Sequence, residues 1–292
     1  MIHTLSNEED NLVVTINSKG AEILSIYNKH TQLDYLWNGN PDFWPKTSPV
    51  LFPVVGGLKD NSYTYKEKTY TLGRHGFARD TEFEVTEQSN NSITLTATSN
   101  EKTLAVYPFE FIFSVQHTLV GSKLYVSYIV ENNGDKNLLF SVGAHPAFNV
   151  PLTKDTNYND WYLLFNHHEN TGQHLIATDG LIQDTPSPFF DNTTKLPLTK
   201  ELFYKDALVF KHLHSNSISI VSDKSKHGLK VDFDDFPYMG IWSFKDADFV
   251  CIEPWCGLGD TENTTGELEK KEGIISLIPK GIFTRTWFVE TF

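Results

Sequence analysis

Phe111-Ile-Phe-Ser-Val-Gln-His-Thr-Leu-Val-Gly121-Ser-Lys-Leu-Tyr-Val-Ser-Tyr-Ile-Val130 is the stretch from which the fold is read. Phe111, Phe113, Val115 and Leu119 alternate with Ser114, Gln116 and Thr118, and Leu124, Val126, Tyr128 and Val130 repeat the period. A period of two over such lengths predicts strands with one face in a core, and Gly121-Ser122 reads as the hairpin turn between them. Working outward, Ile93, Leu95 and Ala97 alternate with Ser92, Thr94, Thr96 and Thr98, and Ile218 and Ile220 alternate with Ser217 and Ser219. Val231 and Phe233 follow a turn-rich stretch, 223–228. The chain is rich in aromatics (21 Phe, 12 Tyr, 6 Trp), which favour pleated, half-buried surfaces over helices. No segment longer than about three turns shows a helical period.

Turn signals recur at Ser18-Lys-Gly20, Asn38-Gly-Asn-Pro41, Asn132-Asn-Gly134 and Thr185-Pro-Ser-Pro188, without the fixed repeat of a propeller or solenoid. The stretch from Pro151 to Pro197, rich in Asn, Thr, Asp and Pro, reads as long loops inserted between strands. These readings predict an all-β fold, a single large antiparallel β-sandwich forming one domain over residues 1–292.

Charge narrows the partners. Lys and Arg total 24 against 37 Asp and Glu, a net charge of −13. Nucleic acids and anionic membrane surfaces are attracted by basic patches, so neither is expected. Two cysteines, Cys251 and Cys256, are too few for a disulfide-stapled secreted fold and lack a second pair for structural zinc. Met1–Asp10 shows no basic segment followed by an apolar run, and no run of about 18 apolar residues occurs, so a soluble cytoplasmic protein is expected.

The dinucleotide-binding glycine fingerprint, the phosphate-cradling Lys-Ser/Thr loop and the Gly-x-Ser-x-Gly elbow are all missing from the sequence. His167, His168 and His174 supply metal-ligand side chains, but adjacent histidines on a loop read as solvent-exposed, and no metal is expected. Chemistry concentrates in three segments: Leu72-Gly-Arg-His-Gly-Phe-Ala-Arg-Asp80, Ser141-Val-Gly-Ala-His-Pro-Ala-Phe-Asn-Val-Pro151 and Phe249-Val-Cys-Ile-Glu-Pro-Trp-Cys-Gly257. In the second, His145-Pro146 interrupts pairing because proline lacks the ladder donor. In the third, a four-residue apolar strand runs into Glu253; a carboxyl there loses hydration and its pKa rises, which suits a general base. Trp255 offers a flat face on which a sugar ring can rest. Two histidines and one glutamate at the ends of strands point to acid–base chemistry.

His-Gly-Phe-Ala-Arg at 75–79, Gly-Ala-His-Pro-Ala-Phe-Asn at 143–149 and Cys-Ile-Glu-Pro-Trp at 251–255 resemble the aldose 1-epimerase (galactose mutarotase) superfamily, closest to its LacX-like branch. Gly-Ala-Glu at 20–22, Leu51-Phe-Pro and the Pro279-Lys-Gly turn fit the same pattern, so the resemblance spans essentially the whole chain. It implies a galactose mutarotase-like β-sandwich that interconverts α and β anomers of an aldose, a small-molecule sugar, without a cofactor. By motif, Glu253 takes the place of the general base, His145 of the general acid and His75 of a second His that binds and polarises the sugar. Arg79, Asp206, Phe148 and Trp255 are carried over as substrate-binding positions.

One departure bears on substrate. Related sequences carry an Arg soon after the Phe-Pro motif, and the matching position here is Gly57. Hexose-6-phosphate mutarotases, which also resemble this chain, use that Arg with the one matching Arg79 to hold phosphate. A free hexose such as galactose or glucose is therefore the expected substrate, with Lys59 or Arg74 as candidates to compensate for the missing arginine. The alternatives are a hexose-6-phosphate mutarotase and a non-catalytic carbohydrate-binding sandwich. A lyase or hydrolase is less favoured, since no motif pairs a second carboxylate with Glu253.

Overall fold

The Phe111–Val120 and Lys123–Asn132 strands pair antiparallel from Phe111↔Asn132 to Val120↔Lys123, closed by a two-residue turn in which Gly121 takes φ +59°. They lie inside a nine-stranded antiparallel sheet. Its order is Thr193–Pro197, Trp161–Glu169, Ser217–Ser222, Ser225–Asp232, Ile282–Thr291, Lys123–Asn132, Phe111–Val120, Ser92–Thr98 and Glu84–Gln88. The computed structural model describes residues 1–7 and 12–292, so the end of the N-terminal stretch read above, residues 8–10, lies outside the described residues. The single α-helix among the described residues, Glu101–Val106, has six residues, capped by Asn100. No helix there is long and apolar enough to cross a membrane.

A second, six-stranded sheet faces the first. Its order is Leu208–Lys211, Tyr238–Trp242, Phe249–Cys256, Val142–Ala144 and Val50–Leu51, with Ala147–Asn149 also paired to Phe249–Cys256. Alternation assigns its two faces. Val250, Ile252 and Cys256, with Val142, Ala144, Met239 and Ile241, join the main core shared with Phe113, Val115, Val126, Trp287 and Val289 of the larger sheet. Phe249, Cys251, Glu253 and Trp255 carry the opposite parity; Phe249 and Cys251 pack with Trp37 and Ala147, and Trp255 with Leu51 and Val209. This architecture is the expected β-sandwich, and the outward face of the smaller sheet is left to build a site.

Three local expectations are corrected. The 151–197 stretch contains two strands of the large sheet, Trp161–Glu169 and Thr193–Pro197, besides its loops. Apolar Tyr162 and Leu164 on the outer face blur the alternation of buried Trp161, Leu163 and Phe165. His167 and His168 accordingly lie on a strand, exposed, while buried His174 pairs its Nδ1 with the Gln183 carbonyl (2.9 Å). The 223–228 turn is shorter than read, because the next strand begins at Ser225.

The third correction concerns the strand leading to Glu253, which runs on through Pro254 to Cys256. Proline is tolerated there because one side of the ladder is interrupted. Val142 and Gly143 pair with Cys256 and Trp255, pairing resumes at Ala147↔Cys251, and residues 252–254 are left without rungs on that side.

Phe52 ties the first of the three motif segments, 72–80, to the core. Its ring stacks on Phe113 (centroids 4.4 Å apart), and its carbonyl accepts from the Phe77 and Ala78 N–H groups at 3.0 and 3.1 Å. That approach requires Gly76, at φ +70°, since a Cβ there would lie 2.3 Å from the Phe52 carbonyl oxygen. Gly76→Ala therefore combines an unfavourable φ with a backbone clash, and should cost at least ~2 kcal/mol, or several degrees of Tm. Thermal melting checks this, with Gly73→Ala, where a Cβ meets nothing within 4 Å, expected to melt like the parent.

Candidate active site

The interrupted ladder places the acid–base candidates. Gly143 pairs with Trp255 and Ala147 with Cys251 in one shared register, so His145 falls opposite Glu253 although no rung joins them. The His145 Nε2 and Glu253 Oε2 atoms are 3.4 Å apart. On its other side Glu253 pairs with Gly240. Gly240 and Gly143 form a flat seat for the Trp255 indole, since a Cβ on either would lie 2.4 or 2.7 Å from the ring.

His75 arrives from a different loop and is held by a reciprocal pair. Its N–H donates to the Gly56 carbonyl (2.8 Å), and the Gly56 N–H donates to its Nδ1 (3.1 Å). Nδ1 is thus the acceptor, so the neutral ring carries its proton on Nε2. His75 adopts φ +67°, a strained backbone fixed by these bonds. Behind it, the Asp260 N–H donates to the Gly57 carbonyl (2.8 Å) and the Lys59 N–H to Asp260 Oδ2 (3.0 Å). Lys271 Nζ meets Asp260 Oδ1 at 2.5 Å, with both side chains 3% exposed. Breaking such a buried pair costs about 3–5 kcal/mol, so the loop that supports His75 is firmly anchored.

These groups open onto a cavity of about 480 Å³, a size that suits a small molecule. His75, His145, Glu253, Trp255, Arg79 and Asp206 all line it. Asp206, half-buried, accepts from the Ala207 N–H through Oδ1 (2.7 Å). The fold thereby brings a second carboxylate to the cavity that no motif paired with Glu253. Arg79 donates through Nη2 to the Arg74 carbonyl (3.1 Å).

Phe148 does not join this group. It is fully buried in the main core, because its parity on the Ala147–Asn149 strand turns it inward while its neighbour Ala147 faces out. The substrate-binding position read there is corrected to a core residue.

Sequence reading missed Trp44 and Trp242. The Trp44 ring stacks on His145 (4.9 Å, 27°) and Trp242 meets the same imidazole edge-on (5.6 Å, 89°). Nothing around Trp44 in the sequence signals this, as it lies 101 positions before His145 (145 − 44) in a turn-rich segment. Arg74, one of the two candidates to compensate for the missing arginine, reaches this position: its guanidinium lies 3.8 Å from where a Gly57 Cβ would be. The missing side chain at position 57 thus leaves room that an arginine from the next motif fills.

Burial governs the titration of the pair. Removal from water pushes the Glu253 carboxyl well above its ordinary range, and the Asp206 carboxylate adds to this. The Trp255 N–H and Arg74 act against the rise, but the indole nitrogen stays outside hydrogen-bond geometry and has no partner. Burial likewise lowers His145 to about 3, helped by the positive field of Arg79 and Arg74. His75 is lowered as well, by burial first and then by its neighbours His145, Arg79 and Arg74. Burial thus disfavours the charged form of each group, and with it a fixed ion pair between them.

Comparison with known proteins gives the family. The sequence model of the aldose 1-epimerase family matches residues 1–276, and the chain belongs to that family. Two LacX proteins of Lactococcus lactis subsp. lactis, chromosomal and plasmid, are 33% and 34% identical over 285 residues, covering 94% of this chain and 95% of each relative. A galactose mutarotase related enzyme from Lactobacillus acidophilus superposes with a TM-score of 0.94 at 37% identity, covering 100% of this chain and 97% of its own. A galactose mutarotase-like protein from Lactobacillus casei gives 0.89 at 30% identity with full coverage of both chains. Family and fold support a mutarotase-like, sugar-binding function with a small-molecule sugar as substrate.

The raised Glu253 pKa makes a stability prediction. Below its ordinary value of 4.5 the carboxyl is protonated folded or unfolded, and no difference arises. Above that value the unfolded chain releases a proton that the folded state retains, so stability falls with rising pH until the folded pKa is passed. Glu253→Gln removes this dependence. It should raise Tm by a few degrees at pH 8 and leave it unchanged at pH 4, as measured by thermal melts across that range.

Proposed function

We propose that the protein is an aldose 1-epimerase acting on a hexose ring, with free galactose or glucose as the leading substrates. The observation that carries this reading is the in-register meeting of His145 and Glu253, 3.4 Å apart, on the floor of a sugar-sized cavity. The competent form is the ion pair reached when the resting proton moves from Glu253 to His145, and sugar hydroxyls donating to the carboxylate favour that form.

Glu253 then removes the proton from the anomeric hydroxyl as the C1–O5 bond breaks, while His145 delivers its proton to the ring oxygen. The open-chain aldehyde results. Rotation about C1–C2 presents the other face of the carbonyl, and the two groups run in reverse to close the opposite anomer. Protons balance over the cycle, so the pair ends as it began. His75, with Nδ1 occupied, offers Nε2–H to a sugar oxygen. Arg79 and Asp206 are assigned to the remaining hydroxyls, and the apolar ring face rests on the tryptophan walls.

Glu253→Gln keeps shape but cannot accept a proton, so mutarotation should fall at least ~10²-fold. Polarimetry of freshly dissolved α-glucose and α-galactose measures this. A variant as active as the parent removes Glu253 from the role of base, and a parent without activity on any aldose returns the protein to the class of sugar-binding sandwiches.

A second reading, hexose-6-phosphate as substrate, is favoured by one observation. Arg74 fills the space beside Gly57 and lies next to Arg79, supplying two guanidinium groups on one cavity wall. If both hold a phosphate, Arg74→Gln should lower the ratio of hexose-6-phosphate to hexose turnover by tenfold or more, since a charged hydrogen bond contributes about 1.5–3 kcal/mol. An unchanged ratio, or a parent inactive on phosphosugars, leaves free hexose as the substrate.

A further inference from the structure

Cys251 has no part in the proton transfers, yet it shares the outward parity of Glu253 on the same strand and pairs with Ala147 and Trp242 on its two sides. One ligating atom each from His145, Cys251 and Glu253 lies within 4.8 Å of the others, and all three residues are buried. We propose that these three residues form an inhibitory site for a thiophilic divalent cation, Zn²⁺ above all, at the floor of the sugar cavity.

The donor set argues for zinc. Imidazole, thiolate and carboxylate are its usual ligands, and three protein ligands with a fourth position open to a cavity is the arrangement of accessible zinc sites. A tetrahedral ion at about 2.0–2.3 Å from its ligands needs them about 3.3–3.8 Å apart, so small side-chain adjustments close the set. Charge also balances. Thiolate and carboxylate cancel the two positive charges of the ion, so the complex is neutral in a buried place. Forming it releases two protons, one from the Cys251 thiol and one from the Glu253–His145 pair. Arg74, Lys205 and Lys245 at the cavity wall oppose the entry of a free cation but not the neutral complex.

An occupied site would silence the enzyme. Glu253 as a metal ligand cannot take the anomeric proton, and the lone pair of His145 is engaged. This consequence rests on the mutarotase reading; the binding itself does not.

The test begins with Co²⁺ titrated into metal-free protein as a spectroscopic probe. One equivalent should produce a thiolate-to-cobalt charge-transfer band with the intense visible absorption of tetrahedral Co²⁺, and Zn²⁺ should displace it. Cys251→Ala should lose the charge-transfer band and bind Zn²⁺ at least ~100-fold more weakly, with the parent's mutarotation rate in the absence of metal. Cys251→Ser serves if the alanine variant melts early. Stoichiometric Zn²⁺ should abolish the parent's mutarotation, and a chelator should restore it. Absence of the charge-transfer band, or Zn²⁺ binding undiminished in both Cys251 variants, overturns the proposal. A cobalt–thiolate band in a protein that turns over no sugar upholds the metal site and overturns the mutarotase reading instead.

Discussion

In the reaction proposed above, the acid and the base that act on one sugar ring have to be kept a few ångströms apart, out of water, without collapsing into a permanent ion pair. Here the register of the Phe249–Cys256 strand imposes that separation. Two short strands share one register on its flank, and the gap between them sets His145 opposite Glu253 without a backbone rung. Much of the surrounding structure follows from the choice. Gly240 on the opposite flank and Gly143 together form the seat on which Trp255 lies flat against the sheet. Burial then disfavours either charge, because removing it from water is costly.

Around this centre, segments far apart in the chain are joined by backbone contacts rather than by side chains alone. The Phe52 carbonyl receives the Phe77 and Ala78 N–H groups, and Gly56 exchanges hydrogen bonds with His75. Gly20 packs against the Arg79 carbonyl, with a Cβ there only 2.8 Å from the oxygen. Glu22, two residues on, accepts from the Thr47 and Ser48 N–H groups and so steadies the segment that carries Trp44. The early Gly-Ala-Glu motif, remote from the cavity in sequence, thereby braces two of its walls.

The sequence made the sandwich legible wherever one face of a strand is apolar and the other polar, as in 92–98, 111–130 and 217–220. It was least legible where outer faces are themselves apolar, as at Tyr162 and Leu164, because period two disappears when both parities are hydrophobic. Glu253 stood out for a physical reason, a carboxyl following an apolar run, and His145 for its proline. Their meeting did not, since it depends on pairing between segments 108 positions apart (253 − 145). Trp44 and Trp242 were equally hidden, being products of tertiary approach. Phe148 was misread because it stands in a motif whose cavity-lining residue is His145, and proximity in sequence says nothing about which face a side chain takes.

The contrast between strand-borne and loop-borne groups carries a consequence for how such proteins diversify. The spacing of His145 and Glu253 is set by the distance between neighbouring strands, about 4.8 Å, a quantity that no loop can alter. Arg74, Lys205 and Lys245 reach the same cavity from exposed connecting segments, which tolerate substitution and changes of length. On the proposed reading, reaction chemistry and ligand preference are thus inherited on separate parts of the backbone. A lineage can rewrite the rim for a new sugar, neutral or anionic, while the proton-transfer distance stays the same.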